Sequence, residues 1–320
     1  MRALVAAMAM ALAALQLSAC GGAQPSSCSP RAIRPHPEIG GELLYTCYAW
    51  PAVMGGLYLL DVATGIVRPL TSDSAWNADA AWSPDGGRIA FQSTREGRSD
   101  LYLMNVPDRH VRRLTDGVGF NEYPQWSPDG SWISFTSSRA GVNGPVGAGG
   151  SHRDVYLVRP DGSDLRRLTS LSGYDGSAVW SPDGSRLAFN SDRRGAFDLY
   201  TMTSDGRDQR QLTHHEGSGG SAAYPRWSPD GSKIVFNASN PPGDPAGASI
   251  YTVPAGGGEA TRVTRGYDFQ ADWSPGGSWI VFLGKRRGHT QLFVVRPDGS
   301  DLTQLTSEAA DKDRPTWRPV

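Results

Sequence analysis

Six carboxylates, Asp79, Glu122, Asp175, Asp268, Asp272 and Asp313, each fall within five residues before a tryptophan. Acidic side chains gathered in one place can hold a cation, attract a basic peptide or divide general acid and base roles between a pair. Loop capping and hydrogen bonding to nearby backbone are the commoner uses of such residues. A catalytic pair also needs a separation that chain spacing does not supply. His152, His214, His215, Glu216 and His289 are the candidates for a metal. They lie in different segments, adjacent His214 and His215 point to opposite sides of an extended chain, and no pair has a metal-ligand spacing. A Gly-x-Ser-x-Gly nucleophile elbow is missing as well. No catalytic residue, metal or cofactor is therefore expected, and the histidines read as solvated loop residues.

The residue set up for covalent chemistry is Cys20. The stretch MRALVAAMAMALAALQLSAC carries one Arg, then an Ala-rich apolar run too short for a membrane span, and ends in Leu17-Ser18-Ala19-Cys20 before Gly21-Gly22. It resembles a bacterial lipoprotein signal, in which small residues admit the peptidase and the thiol takes a diacylglyceryl thioether. Acyl chains contribute about 0.8 kcal/mol per buried CH2, so several of them anchor a protein without a transmembrane helix. Gly21 in place of Asp directs the chain to the periplasmic side of the outer membrane if the host has two membranes. The chain then divides into a signal peptide (1–19), a lipidated Cys20 with a Pro- and Ser-rich flexible tether (20–38) and one folded domain (39–320). Cys28 and Cys47 remain. An exported compartment permits a disulfide that clips the tether to the first strand, and two free thiols are the alternative the spacing leaves open.

The elements that position these side chains are announced by a repeated word. WSPDG starts at Trp82, Trp126, Trp180 and Trp227, a worn WSPGG at Trp273 and a truncated WRPV at Trp317, with successive tryptophans 44, 54, 47, 46 and 44 residues apart. That period suits one four-stranded propeller blade. The second period shows the four segments, strands A to D: Tyr123–Trp126, Trp132–Phe135, Asp154–Val158 and Leu165–Thr169. Each is short and rich in β-formers, with turn signals between. In Ser-Pro-Asp-Gly the Pro fixes φ at the first corner, Asp suits the second and Gly accepts the positive φ that leads into strand B. The tryptophans read as plates between blades, where truncation costs about 3–5 kcal/mol.

Two residues before these tryptophans stand Ala80, Pro124, Ala178, Pro225, Ala271 and Pro315. Pro is tolerated in a strand only where its missing N–H faces no partner, so strand A is an edge, as the innermost strand around a channel is. Residues 42–48, 57–62 and 66–71 form strands B, C and D without an A, while Pro315-Thr316-Trp317 forms an A without the rest. An all-β, six-bladed β-propeller follows, closed by pairing of N- and C-terminal strands in one shared blade. The composition agrees: 39 Gly and 23 Pro suit many tight turns, and a net charge of −1 argues against nucleic acid as a partner.

Trp-Ser-Pro-Asp-Gly, then Arg88-Ile-Ala-Phe91, an Arg-Gly turn such as Ser191–Gly195, Asp198-Leu-Tyr200 and Arg-Leu-Thr together resemble the propeller repeat of the TolB family. The resemblance covers roughly residues 40 to 320. It implies a component of the Tol-Pal envelope system whose propeller docks the peptidoglycan-associated lipoprotein. TolB proteins are soluble and carry an α/β domain ahead of the propeller; here a tether of about twenty residues and a lipid anchor stand in that place. The expected function is an envelope-anchored, monomeric, non-catalytic module that binds an envelope protein or a peptidoglycan-associated partner. The alternative is a carbohydrate-active lyase or hydrolase using the propeller funnel. Extra residues in the D–A and B–C loops, 138–154 and 239–249 above all, select that face for the ligand. Its residues are Trp76, Asn77, Phe120, Asn121, Glu122, Tyr174, Asp175, His214, His215, Tyr267, Asp268 and Asp313.

Overall fold

A computed structural model describes residue 28 and residues 33–48, 54–72, 74–141, 152–215, 220–239, 247–286 and 288–320. Cys20, Glu216 and most of both B–C insertions lie outside the described residues. Six four-stranded antiparallel sheets form the ring. In the first complete blade the order from the axis outward is Asn77–Trp82, Arg88–Ser93, Asp100–Asn105 and Val111–Arg113. The other inner strands are Asn121–Trp126, Asp175–Trp180, Ala222–Trp227, Asp268–Trp273 and Asp311–Trp317. The last of these pairs with Glu42–Tyr48, Leu43 opposite Trp317 and Tyr48 opposite Asp311, so the C-terminus supplies the inner strand of the N-terminal blade. The ring is the six-bladed propeller with one shared blade that the repeat implies.

The Ser-Pro-Asp-Gly turns close as their chemistry dictates. Gly86, Gly130, Gly184, Gly231 and Gly277 have φ between +63° and +71°, a region that costs an L-residue with a Cβ about 1–2 kcal/mol. In the second complete blade the Ser127 hydroxyl donates to Asp129 at 2.5 Å, and the Ser131 N–H donates to the same carboxylate at 3.0 Å. The three other intact copies repeat the arrangement.

Packing follows the period. Phe91, Phe135, Phe189, Phe236 and Phe282, each nine residues after its tryptophan, are fully buried and face Tyr102, Tyr156, Tyr200, Tyr251 and Phe293 across the strand pair, with ring centroids 5.6–6.0 Å apart. Trp82 packs with Leu44, Leu57 and Leu59 of the shared blade, and Trp317 with Trp279 and Val281 of the last complete one, which puts both plates between blades.

Cys28 and Cys47 form a disulfide. Residues 33–38, counted with the tether from sequence, run along the shared blade: the Ile33 and His36 N–H groups donate to the carbonyls of Gly65 and Val62 at 2.9 Å each. His36 is buried there, and those two carbonyls, both in the turn between Asp61 and Ile66, offer the segment's backbone the partners it would otherwise find in water.

Candidate functional site

Every inner strand is bulged at one position. Asp79, Tyr123, Ser177, Tyr224, Gln270 and Arg314, each three residues before a tryptophan, have φ between 51° and 58°. All six interrupt the pairing register of their strands; in the first complete blade, for example, the shift falls between Ala78 and Ala81. An inner strand has no neighbour on its axial side, so the extra residue is free to turn its side chain towards the channel. Ala or Pro in the next position suits the bulge, where a missing N–H leaves no ladder bond unmade.

Arg314 fills the axis. Its Nε lies 2.9 Å from the Asp79 carboxylate, a close ionic contact. Its guanidinium carbon is 4.3 Å from the Tyr123 ring centroid and 4.0 Å from that of Tyr224. Those tyrosines belong to blades two places away on either side of the shared blade, so the cation is clamped between them near the centre of the ring. Burial pushes the Asp79 carboxyl up to about 7; the Arg314 charge opposes this, while Asp313 and Glu122 add to it. Ala80, Ser177, Gln125 and Arg226 complete the lining of the cavity around Arg314, and the buried Ser177 hydroxyl has no partner among the described residues.

The six carboxylates are not gathered in one place. Asp175 and Asp268 stand five residues before their tryptophans, Glu122 and Asp313 four, Asp79 three and Asp272 one, which distributes them over four levels of the channel. At the outermost level Asn77, Asn121, Asp175 and Asp268 are fully buried and serve one purpose. Each accepts from an Arg at the end of the second strand: Arg95, Arg139, Arg193 and Arg286, at 2.9–3.3 Å. These pairs hold the B–C loop against the inner strand. Glu122 and Asp313 are less engaged, with their nearest cations, Arg153 and Arg314, 3.8 and 4.0 Å away, and burial raises both carboxyls. Asp272 lies deeper and accepts from the Thr316 hydroxyl at 2.8 Å.

The aromatic residues of the D–A loops collect on the face away from the Ser-Pro-Asp-Gly turns. Trp76 meets Tyr48 edge-on at 5.1 Å, and Tyr267 meets Phe269 at 5.8 Å. Arg153 stacks on Phe120 at 5.4 Å. Tyr174 packs on Phe197, its ring lying over Gly176, where a Cβ would come within 2.6 Å of it. Phe120 and Tyr267 remain 49% and 44% exposed, and Met54, Val118 and Leu171 are exposed on the same face. The histidines do not converge. His215 Nδ1 lies 2.7 Å from Asp198, His152 is 3.4 Å from Asp154, His289 is 3.6 Å from Asp311, and His214 is exposed. Among the described residues, no group of three His, Cys, Asp or Glu side chains could hold a metal ion.

Sequence reasoning did not find Arg314, Tyr123, Tyr224 or Ser177. The available signal was their shared place, one residue before the Ala or Pro of every repeat.

A family model described as the TolB beta propeller domain matches residues 40–144 and 216–320, and one described as the Tricorn protease N-terminal beta propeller domain matches residues 150–263. The protein TolB homolog of Chlorobium luteolum is 54% identical over 43 residues, which is 13% of this chain and 10% of that protein. The Tol-Pal system protein TolB of Nitratidesulfovibrio vulgaris is 50% identical over 42 residues, again 13% of this chain and 10% of the relative. These matches thus span about a tenth of each curated relative. The crystal structure of TolB from Acinetobacter baumannii superposes with a TM-score of 0.75 at 25% identity, over 88% of this chain and 67% of that one.

Proposed function

This chain belongs to the TolB β-propeller family, and we propose that it works as an envelope-anchored, non-catalytic module whose loop face captures an envelope protein or a peptidoglycan-associated partner. The observation that carries the reading is the exposure of Phe120, Tyr267, Val118, Leu171 and Met54 on the loop face. Aromatic anchors beside partly satisfied charges such as Glu122 and Arg153 are the composition of a recognition surface. The turn face offers mainly short Pro-Asp-Gly hairpins whose polar groups bond one another. The names of the curated relatives, which include a Tol-Pal system protein, agree with this reading. Anchoring rests on the lipoprotein-type signal that ends at Cys20. Against a carbohydrate-active enzyme stands the clamped Arg314, which occupies the axis such a substrate would have to enter.

Affinity capture after crosslinking in intact cells tests the face. Phe120→Ala and Tyr267→Ala each lower the yield of partner several-fold, with melting temperatures unchanged because exposed side chains rarely carry more than about 0.5 kcal/mol of stability. Asp164→Lys and Asp301→Lys, on the turn face, leave capture intact. Loss of capture only from the turn-face variants overturns the assignment.

A further inference from the structure

Lys312 is fully buried in the inner strand of the shared blade, directly opposite Cys47. A buried ammonium is tolerated only where its three N–H donors find acceptors. Here Nζ lies 2.6 Å from the Glu308 carboxylate, 3.3 Å from the Ala310 carbonyl and 3.3 Å from Cys47 Sγ. The first two are strong acceptors. The third is a sulfur of the Cys28–Cys47 disulfide, a weak one. This contact is therefore the least satisfied of the three, and it becomes a charge-assisted hydrogen bond when that sulfur carries a negative charge. Cys28 Sγ has no such donor among the described residues; what holds Cys28 besides the bond is its carbonyl, which accepts from the Tyr58 hydroxyl at 3.2 Å.

We propose that Cys28 is a site of reversible S-thiolation by a small-molecule thiol, with Cys47 as the leaving sulfur and Lys312 as the residue that holds it. A thiolate attacks Cys28 Sγ and bonds to it, the Cys28–Cys47 bond breaks, and its electron pair stays on Cys47 Sγ against the Lys312 ammonium. One disulfide replaces another, so no oxidant or reductant is consumed. Exchange is faster when the departing thiolate is the better stabilised one, and this decides between the two sulfurs. Departure of Cys47 gains the Lys312 charge; departure of Cys28 does not. The Glu308 carboxylate offsets part of that charge, and burial disfavours either thiolate, but burial acts on both cysteines and Lys312 on one. The reverse step uses the same groups: the Cys47 thiolate attacks Cys28 Sγ, expels the thiol and restores the bond. Cys28 is 5% exposed and Cys47 2%, which leaves no landing area for the active site of a protein and selects a small thiol that enters on local opening.

The test incubates the Cys20→Ser chain, in which Cys28 and Cys47 are the cysteines left, in a buffer of reduced and oxidised glutathione. Samples are quenched in acid, free thiols are blocked with N-ethylmaleimide, and trypsin cleaves after Arg31, which separates the two sites for mass spectrometry. Chains with glutathione on Cys28 and maleimide on Cys47 outnumber the reverse by about tenfold or more. Equal numbers, an excess of glutathione on Cys47, or no adduct on either cysteine overturns the proposal. In Lys312→Met the excess falls several-fold, while Lys312→Arg, which keeps the charge, retains most of it. An excess unchanged in Lys312→Met overturns the part given to Lys312. Should Lys312→Met fail to fold, the distribution in the parent and in Lys312→Arg decides, and loss of the excess in Lys312→Arg then counts against the proposal.

Discussion

Arg314 and Asp79 meet 2.9 Å apart across the seam where the C-terminal strand joins the first complete blade. The contact ties ring closure to the channel, because Arg314 lies on the strand that completes the shared blade and its guanidinium is held by tyrosines from two other blades.

Asp79 makes stability depend on pH in a particular sense. Its carboxyl titrates near 7 in the fold because of burial, against 3.8 as its ordinary value, so the folded protein keeps a proton that the unfolded chain releases between those values. The stability this contributes is fully present below about pH 4 and is lost as pH rises through 7, by at most about 4 kcal/mol. Urea melts of the parent and Asp79→Asn at pH 4.5, 6 and 7.5 check this: the parent's advantage shrinks with rising pH. An advantage that grows would mean that Arg314 keeps the carboxylate ionised throughout.

Ring closure is tested by removing residues 313–320. Glu42–Tyr48 would lose most of its inner partner, and the Arg318 contact with Glu42 at 2.6 Å would go with it. Trp317 contributes by itself, since truncating a buried aromatic costs about 3–5 kcal/mol. The shortened chain unfolds at least 10 °C lower, or without a cooperative transition, in calorimetry. A melting point within a degree or two of the parent would exclude this closure.

Cys20→Ala removes the thiol that would carry the lipid. Palmitate labelling disappears, cleavage after Ala19 is blocked, and the propeller folds as before because it begins beyond the signal. Unchanged labelling and membrane retention in that variant would refute the anchor.

The ring was legible in the sequence because one turn, Ser-Pro-Asp-Gly, recurs at blade period and because Pro124, Pro225 and Pro315 mark an unpaired edge. The shared blade was legible from strands without partners at both ends. The channel was not, and the reason is parity. A strand read as strictly alternating assigns its faces by counting, and a single bulge residue reverses the count beyond it. Taking the acidic residues together by their nearness to a tryptophan therefore grouped Asp175, which binds Arg193 within its own blade, with Asp79, which faces the axis. The arginines that bind Asn77, Asn121, Asp175 and Asp268 were visible only as part of an Arg-Gly turn, because their partners lie 18 residues away in sequence.

The worn repeat offers a gain of stability. In four turns the Asp carboxylate accepts from the Ser hydroxyl at 2.5 Å and from the N–H two residues on at 3.0–3.1 Å, and the hydroxyl's bond is the main reason these carboxyls lie below their ordinary range. At Gly276 the turn still closes, with the left-handed residue supplied by Gly277 and the Trp279 N–H donating to Ser274 at 3.0 Å, but the carboxylate is missing. A Cβ at Gly276 meets nothing within 4 Å, and its φ is not in the left-handed region, so Gly276→Asp fits without strain. It restricts the unfolded chain, worth about 0.4–1 kcal/mol, and restores two hydrogen bonds of about 1 kcal/mol each before the cost of ordering the side chain. We expect a net gain of about 1 kcal/mol at pH 7 and a rise of about 2 °C in melting temperature. The carboxylate's share of the gain should fade as pH falls through the acid range, because a carboxyl lowered in the fold stabilises only while it is ionised. Loss of stability on making the change would mean that the worn turn differs from its four siblings in more than this side chain.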